Sequence, residues 1–265
     1  NNKEYYERNA LKYEKASWYY FNAYKNNEVR RELGVCLHKL KHLEEIKILE
    51  IGPGTGYLIQ KINQIGKYNL DYTGIDHSVI MSEILTQRHS ESFKGFKIIN
   101  ETVTNDTLLK LFSRESFDLI MGSSILTHLL DYDDVLKTLL SLVKKEGVIY
   151  FVREPVHRED IGKSSYLSDK LEVLYRNVYS ILMKERVRRF LWPKKVRAED
   201  VTSIAPHMYG DGISLKVVDS AVSSGKFSLL FMRKYNRRAT ALMSYIENKW
   251  LSSFRKDIFG NTLFS

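Results

Sequence analysis

The stretch ILEIGPGTGYL, residues 48–58, constrains this chain more than any other. An apolar run ends in Glu50, glycine then stands at 52, 54 and 56, and the sequence returns to apolar residues. Glycine packed that densely costs chain entropy, so something there requires bare backbone: a tight turn, a close ligand, or both. A strand that feeds such a loop and then a helix opens a parallel α/β unit. The following sequence keeps that rhythm. The short apolar runs KILEI (47–51), DYTGID (71–76), FKIIN (96–100), FDLIMGSS (117–124) and GVIYFV (147–152) alternate with helical segments. This predicts a parallel sheet covered by helices on both faces.

The 265 residues suffice for one such domain with additions. Residues 1–45 read as a helical N-terminal cap, with Val29, Leu33, Cys36, Leu37, Leu40 and Leu43 at helical spacing. Residues 46–154 are the core. Residues 155–212 hold one amphipathic pattern (Leu167, Leu171, Leu174, Val178, Leu182) and read as a helical lid insertion. Residues 213–234 show two strand-like runs around SSGK and predict an antiparallel hairpin that closes the sheet. Residues 235–265 read as a last helix carrying Leu242, Tyr245, Ile246, Trp250 and Phe254.

Composition narrows the partners. The single Cys36 excludes an internal disulfide and a cysteine metal site, and fits a reducing, cytoplasmic setting. No apolar run is long enough to span a bilayer, and the start NNKEYYERNA carries no signal-type apolar segment. A net charge of +9 admits nucleic acid, an acidic protein or an anionic small molecule. Much of it lies in KERVRRFLWPKKVR (184–197).

The glycine loop excludes two common ligands. A dinucleotide fingerprint needs Gly at 57, where Tyr57 stands, and Pro53 removes a backbone donor. No Lys-Ser/Thr follows, so a P-loop fails too. The pattern Glu50, Gly52, Gly54, Gly56 instead resembles the S-adenosylmethionine loop of class I methyltransferases. That resemblance implies a Rossmann-like seven-stranded sheet, a parallel one closed by the hairpin, and methyl transfer from S-adenosylmethionine, which leaves S-adenosylhomocysteine. It further implies that Asp76 holds the ribose hydroxyls, with His77 beside it. Gly122 and Ser123 then touch the methionine end, and His128 occupies a position often held by His. The segment NETV (100–103) stands where the adenine is held, with Glu101 and Thr102 or Asn105 and Asp106 as its contacts. The helix YYERNALKYE resembles the family's cofactor-covering helix through Tyr6, Ala10 and Tyr13.

The acceptor is read from residues around the expected pocket. REPVHRED (153–160) supplies Glu154, His157, Glu159 and Asp160, acids suited to a cationic or amine group. Asp160, Glu159, His128 and His157 are the candidate catalytic residues. Trp18, Tyr20 and Phe21, with Tyr209 in PHMYGDG, are candidate substrate contacts beside Glu154 and Asp160. No acid cluster stands at the family's magnesium positions, and no metal is expected. The composition, the aromatic segment and the acidic loop are similar to the N-methyltransferases that dimethylate the N-terminal arginine of plantazolicin-like azole peptides. The expected acceptor is therefore an amine of a small molecule or modified peptide. The alternatives are a small-molecule hydroxyl, or RNA bound through residues 184–197. GSSI replaces the NPPY-type motif of base-modifying enzymes after the fourth strand, which counts against DNA exocyclic amines.

Overall fold

Val29, Leu33, Cys36 and Leu37 recur on one helical face, and all are buried along α1 (Ala23–Lys39). The computed structural model of the chain describes residues 23–129, 131–154, 213, 216–224, 227–228 and 230. After α1 come β1 (Ile46–Ile51), α2 (Tyr57–Ile65), β2 (Leu70–Ile75) and α3 (Val79–His89). They are followed by β3 (Gly95–Ile99), α4 (Asn105–Leu111), β4 (Phe117–Ser123), α5 (Tyr132–Leu142) and β5 (Val143–Val152). Local chemistry sets the helix starts. The Ser78 hydroxyl accepts from Met81 N ahead of α3, and that of Thr104 from Thr107 N ahead of α4.

The five strands pair in the order β3-β2-β1-β4-β5, and every pairing is parallel. β1 and β4 are buried almost throughout, as strands covered on both faces must be. One core packs Leu33, Leu37, Leu58, Ile62 and Leu85 of α1, α2 and α3 against Ile48, Tyr72 and Tyr150. The other packs Leu108, Val135, Leu139 and Leu142 of α4 and α5 against Leu49, Ile51 and Ile120. The strand order reverses between β1 and β4. A crevice therefore opens at the carboxyl ends of those two strands, where this architecture binds ligands.

The expected closing hairpin is not found. The described sheet is entirely parallel, and the first expected hairpin strand is instead helix α6 (Lys216–Ser223). The sequence explains the change. ISLK alternates like a strand, but the apolar pairs Val217–Val218 and Ala221–Val222 are four residues apart, which is the helical repeat. Phe227, Ser228 and Leu230, in the second run, carry no strand either. No described helix is long and apolar enough to cross a membrane.

Two buried polar ties hold the layers. Asp118 on β4 accepts from Lys47 N at 2.9 Å and from Lys144 Nζ at 3.0 Å, joining the starts of β1 and β5. Tyr150 on β5 donates to Glu32 Oε2 on α1 at 2.8 Å. Asp118→Ala removes the partner of both the Lys47 amide and the Lys144 ammonium, at a part-buried site. It should lower unfolding free energy by about 1.5–3 kcal/mol, measured by urea denaturation.

Candidate active site

The loop between β1 and α2 sits over the β1–β4 crevice. Gly52, Gly54 and Gly56 all have positive φ, at 62°, 55° and 94°. Their surroundings differ. A Cβ at Gly52 would stand 2.6 Å from Ile125 Cδ1, and one at Gly56 2.7 Å from His89 Cδ2. The chain's own side chains fill those two sites. At Gly54 no described residue lies within 4 Å of the Cβ position, and its backbone is left-handed. Of the three glycines, Gly54 is the one whose Cβ position no described side chain occupies.

The ends of β1 and β2 lie flush, with Ile51 opposite Ile75. Asp76 therefore stands beside the loop. Its Oδ2 accepts from Gly54 N and its Oδ1 from Ser78 N, each at 2.9 Å. Burial raises the Asp76 pKa, while those two N–H bonds pull it back. Asn100 reinforces the corner, donating to Asp76 O at 3.3 Å and to Ser82 Oγ at 2.7 Å. Glu50 lies deeper, 1% exposed, and accepts from the Tyr72 hydroxyl at 2.9 Å. Burial pushes its carboxyl up to about 8, the Tyr72 bond opposes the shift and nearby Asp76 adds to it. Glu50 supports the loop from inside the core.

The turn after β4 forms the opposite wall. Glu154, just past β5, accepts from Ile125 N at 2.7 Å and from Leu126 N at 3.1 Å. Burial raises its carboxyl to about 7, against the pull of the backbone amides of Ile125, Leu126 and Thr127. This clamp seats Ile125. A Cβ at Gly122 would stand 2.8 Å from Ile125 Cγ2, so Gly52 and Gly122 both make room for that one side chain. His128 ends the short 3-10 turn Leu126–His128. Burial lowers its pKa below the ordinary 6.5, and the proximity of His77 lowers it further. His77 in turn lies 3.8 Å from Asp76 Oδ1. The structure thus gathers Asp76, His77, Gly54, Gly122, Ser123 and His128 around one crevice.

Glu101 and Thr102 follow β3 and are exposed. Glu154 has its oxygens directed at backbone amides. Tyr13, Trp18, Tyr20, Phe21, His157, Glu159, Asp160 and Tyr209 lie outside the described residues, as does the basic segment 184–197. Sequence reasoning missed the partners of Asn100, Tyr57 and Arg153. Arg153 Nη2 donates to the Tyr57 hydroxyl at 2.5 Å, its guanidinium carbon lies 4.0 Å from the Tyr57 ring centroid, and Tyr57 donates to Asn26 Oδ1 at 2.9 Å. Nothing in the local sequence pattern marks these three. Each acts through a partner distant in the chain.

A parallel sheet with a glycine loop and a carboxylate at its switch point defines a nucleotide-type ligand site. The family described as "Methyltransferase domain" matches residues 21–182, and the chain belongs to it. Arsenite methyltransferase of Rattus norvegicus is 27% identical over 130 residues, 46% of this chain and 35% of that protein. The chain thus spans about a third of that relative's length. Ubiquinone biosynthesis O-methyltransferase of Pelagibacter ubique is 25% identical over 185 residues, 68% of this chain and 66% of that protein. Among solved structures, a putative S-adenosylmethionine-dependent methyltransferase of Methanococcus maripaludis aligns with a TM-score of 0.44 and 15% identity. That alignment covers 77% of this chain and 87% of the other.

The cofactor is S-adenosylmethionine, and the residues present fit it. No described side chain occupies the Cβ position of Gly54, and Asp76 is a buried carboxylate with acceptor capacity for hydroxyls beyond its two amide bonds. Asp76→Ala should weaken S-adenosylhomocysteine binding by about 1.5–3 kcal/mol, read by calorimetry. Glu50 gives a pH signature. Its folded pKa lies above the unfolded value of 4.5, so the native state binds the extra proton. Stability from this group is full below 4.5 and declines as pH rises toward about 8. Glu50→Gln should flatten that decline in urea melts taken across the window.

Proposed function

We propose that the protein transfers a methyl group from S-adenosylmethionine to a hydroxyl oxygen of a small-molecule acceptor, with His128 as the base. The observation that carries this reading is the position of His128 at the end of the turn after β4, near His77, which itself lies 3.8 Å from Asp76 Oδ1; burial and that neighbour hold the imidazole pKa down. An imidazole held below 6.5 is neutral at physiological pH and ready to take a proton. When bound, the cofactor supplies an electrophilic methyl on a sulfonium centre. The chain supplies position and proton removal. Glu154 fixes the backbone of the turn that ends at His128, and Ile125 locks that turn against β1 and β4. Holding acceptor and donor in line provides much of the acceleration in such displacements.

The relatives support an oxygen acceptor over the alternatives. The ubiquinone O-methyltransferase resembles this chain over about two thirds of both proteins, the arsenite enzyme over only 35% of its own length. Trivalent arsenic is held by soft thiolates. The given 265 residues contain one cysteine, Cys36, which is buried and whose thiol is pushed up to about 12, chiefly by burial. The amine reading rested on acids after β5. Of these, Glu154 is engaged with backbone amides, and Glu159 and Asp160 lie outside the described residues. Modification of an azole peptide has no feature of the described residues behind it.

Incubation with methyl-labelled cofactor and a panel of phenols, amines, an N-terminal arginine peptide, RNA and arsenite tests the reading. Labelled methyl ethers are expected, and methylation confined to amines or RNA would overturn it. His128→Asn should lower kcat by about 100-fold to 10,000-fold while S-adenosylhomocysteine affinity stays near wild type. The acid limb of the wild-type rate profile should lie below pH 6.5, because the imidazole pKa is lowered.

A further inference from the structure

Both oxygens of Glu154 are committed as acceptors. Oε1 takes Ile125 N at 2.7 Å and Oε2 takes Leu126 N at 3.1 Å, and the Thr127 amide also pulls on the carboxylate. Among the described residues its partners are thus backbone amides and not a cation. A carboxylate has lone pairs for this, whereas a neutral carboxyl turns one of its oxygens into an O–H donor. A proton on Glu154 therefore cannot leave both bonds intact. Oε2 carries the longer bond, so Leu126 N is the donor displaced. Leu126 is buried, and its amide regains an acceptor only if the turn moves.

The backbone on either side of the clamp is strained. Ser124, just before the clamped amides, has φ 53°, and Arg153, just before Glu154, has φ 64°. Neither is glycine, so each is held in the left-handed region by its surroundings. The two hold one another. Ser124 Oγ donates to Arg153 O at 3.1 Å, and Ser124 N donates to Val152 O at 3.0 Å. A turn kept off its preferred conformation by a few bonds relaxes when one of them breaks. His128 moves with it, because His128 N donates to Ile125 O at 2.9 Å and Glu154 grips the amide of that same residue.

Among the described residues, the charged and titratable groups that face Glu154 are Arg153 on its own strand end, His128 on the turn it clamps, and His77 and Asp76 across the crevice. Burial raises the carboxyl to about 7, so its proton is exchanged near neutral pH. The folded pKa lies above the ordinary 4.5, and stability from this group is full below 4.5 and is lost as pH rises through about 7. The fold favours the protonated acid, while the turn is gripped by the ionised one.

We infer that Glu154 is a positioning residue with a proton-dependent hold: ionised, it fixes the turn that carries His128, and on protonation it releases Leu126 N and lets that turn shift. The use of His128 as a base rests on the oxygen-transfer reading above, whereas the release of the turn does not.

The test follows the turn itself. The 265-residue protein, saturated with S-adenosylhomocysteine and carrying 13C in its glutamate carboxyls and 15N in its leucines, is titrated by NMR from about pH 5 to about pH 9. The Glu154 carboxyl carbon and the Leu126 amide should share one midpoint, near 7, with the amide proton moving upfield as its acceptor is protonated. Glu154→Gln has one carbonyl acceptor and one NH2 donor at every pH, so its Leu126 amide should stay at the acid-end position throughout. A carboxyl carbon that does not titrate in this range overturns the inference, as does a Leu126 amide that stays fixed while the carbon titrates. So does an amide that still titrates in Glu154→Gln, because a histidine would then be moving it. The wild-type titration decides by itself if the variant does not fold. In kinetics, wild type should add a rise in kcat of about twofold to tenfold through pH 7, above the imidazole limb, the worth of one hydrogen bond. Glu154→Gln should lack that rise, and its absence from wild type overturns the positioning role. The same rise on an amine acceptor alone would sink oxygen transfer and leave the hold of Glu154 standing. Methyl ethers formed while the Leu126 amide stays fixed would do the reverse.

Discussion

The arrangement of the crevice depends on one carboxylate bound to backbone amides. Glu154 reaches back from the end of β5 and takes the amides of Ile125 and Leu126, the start of the turn after β4. Orphan amides at the head of a short helical turn need an acceptor, and an acid from the neighbouring strand meets that need. The consequences spread outward. Ile125 is driven into the space left by Gly52 and Gly122, and the ends of β1 and β4 are thereby locked at one height. The turn then delivers His128 opposite His77 and Asp76, while its Ser124 holds the backbone of Arg153. One half-buried acid ties both walls together.

Electrostatics adds a second constraint. Glu50, Asp76 and Glu154 all sit where burial penalises negative charge. Each is answered differently: Glu50 by a tyrosine hydroxyl, Asp76 by amides of the loop and the next helix, Glu154 by amides of the turn. A carboxylate with partners only on the protein side is a structural element. Asp76 differs because, among the described residues, no side chain stands against its partner Gly54, so a hydroxyl-bearing ligand can share the oxygens. This distinguishes the three acids, although sequence position alone would class Glu50 with Asp76.

Much of this was legible in the sequence, for reasons that are local. The five strands were readable because each is a short apolar run bounded by polar or glycine residues, and burial on both faces leaves that mark. The loop was readable because three alternating glycines mark a place where the fold needs bare backbone. The hairpin was misread because ISLK alternates like a strand while the helical repeat of α6 only becomes visible from Val217 onward. In the site, Asp76 was legible from its distance along the chain to the glycine loop. The inward role of Glu154 was not. Its partners are backbone amides 28 and 29 residues away, and backbone amides leave no trace in a sequence. Arg153 and Tyr57, separated by 96 residues, were hidden in the same way.

The bond between Tyr150 and Glu32 carries a consequence for how the molecule is made. It closes a loop of 118 residues, from the first described helix to the last strand of the sheet. During synthesis α1 emerges early, with Leu33 and Leu37 in search of a surface that includes Tyr150. The sheet edge that should cover it does not yet exist. A nascent chain therefore carries an α1 whose apolar face is only partly covered until the ribosome has released residues past 152, a state that invites chaperone capture. Non-local closure of this kind also slows the final step, since entropy is lost before the contacts repay it. Helix and strand lie far apart in time of synthesis and mature together.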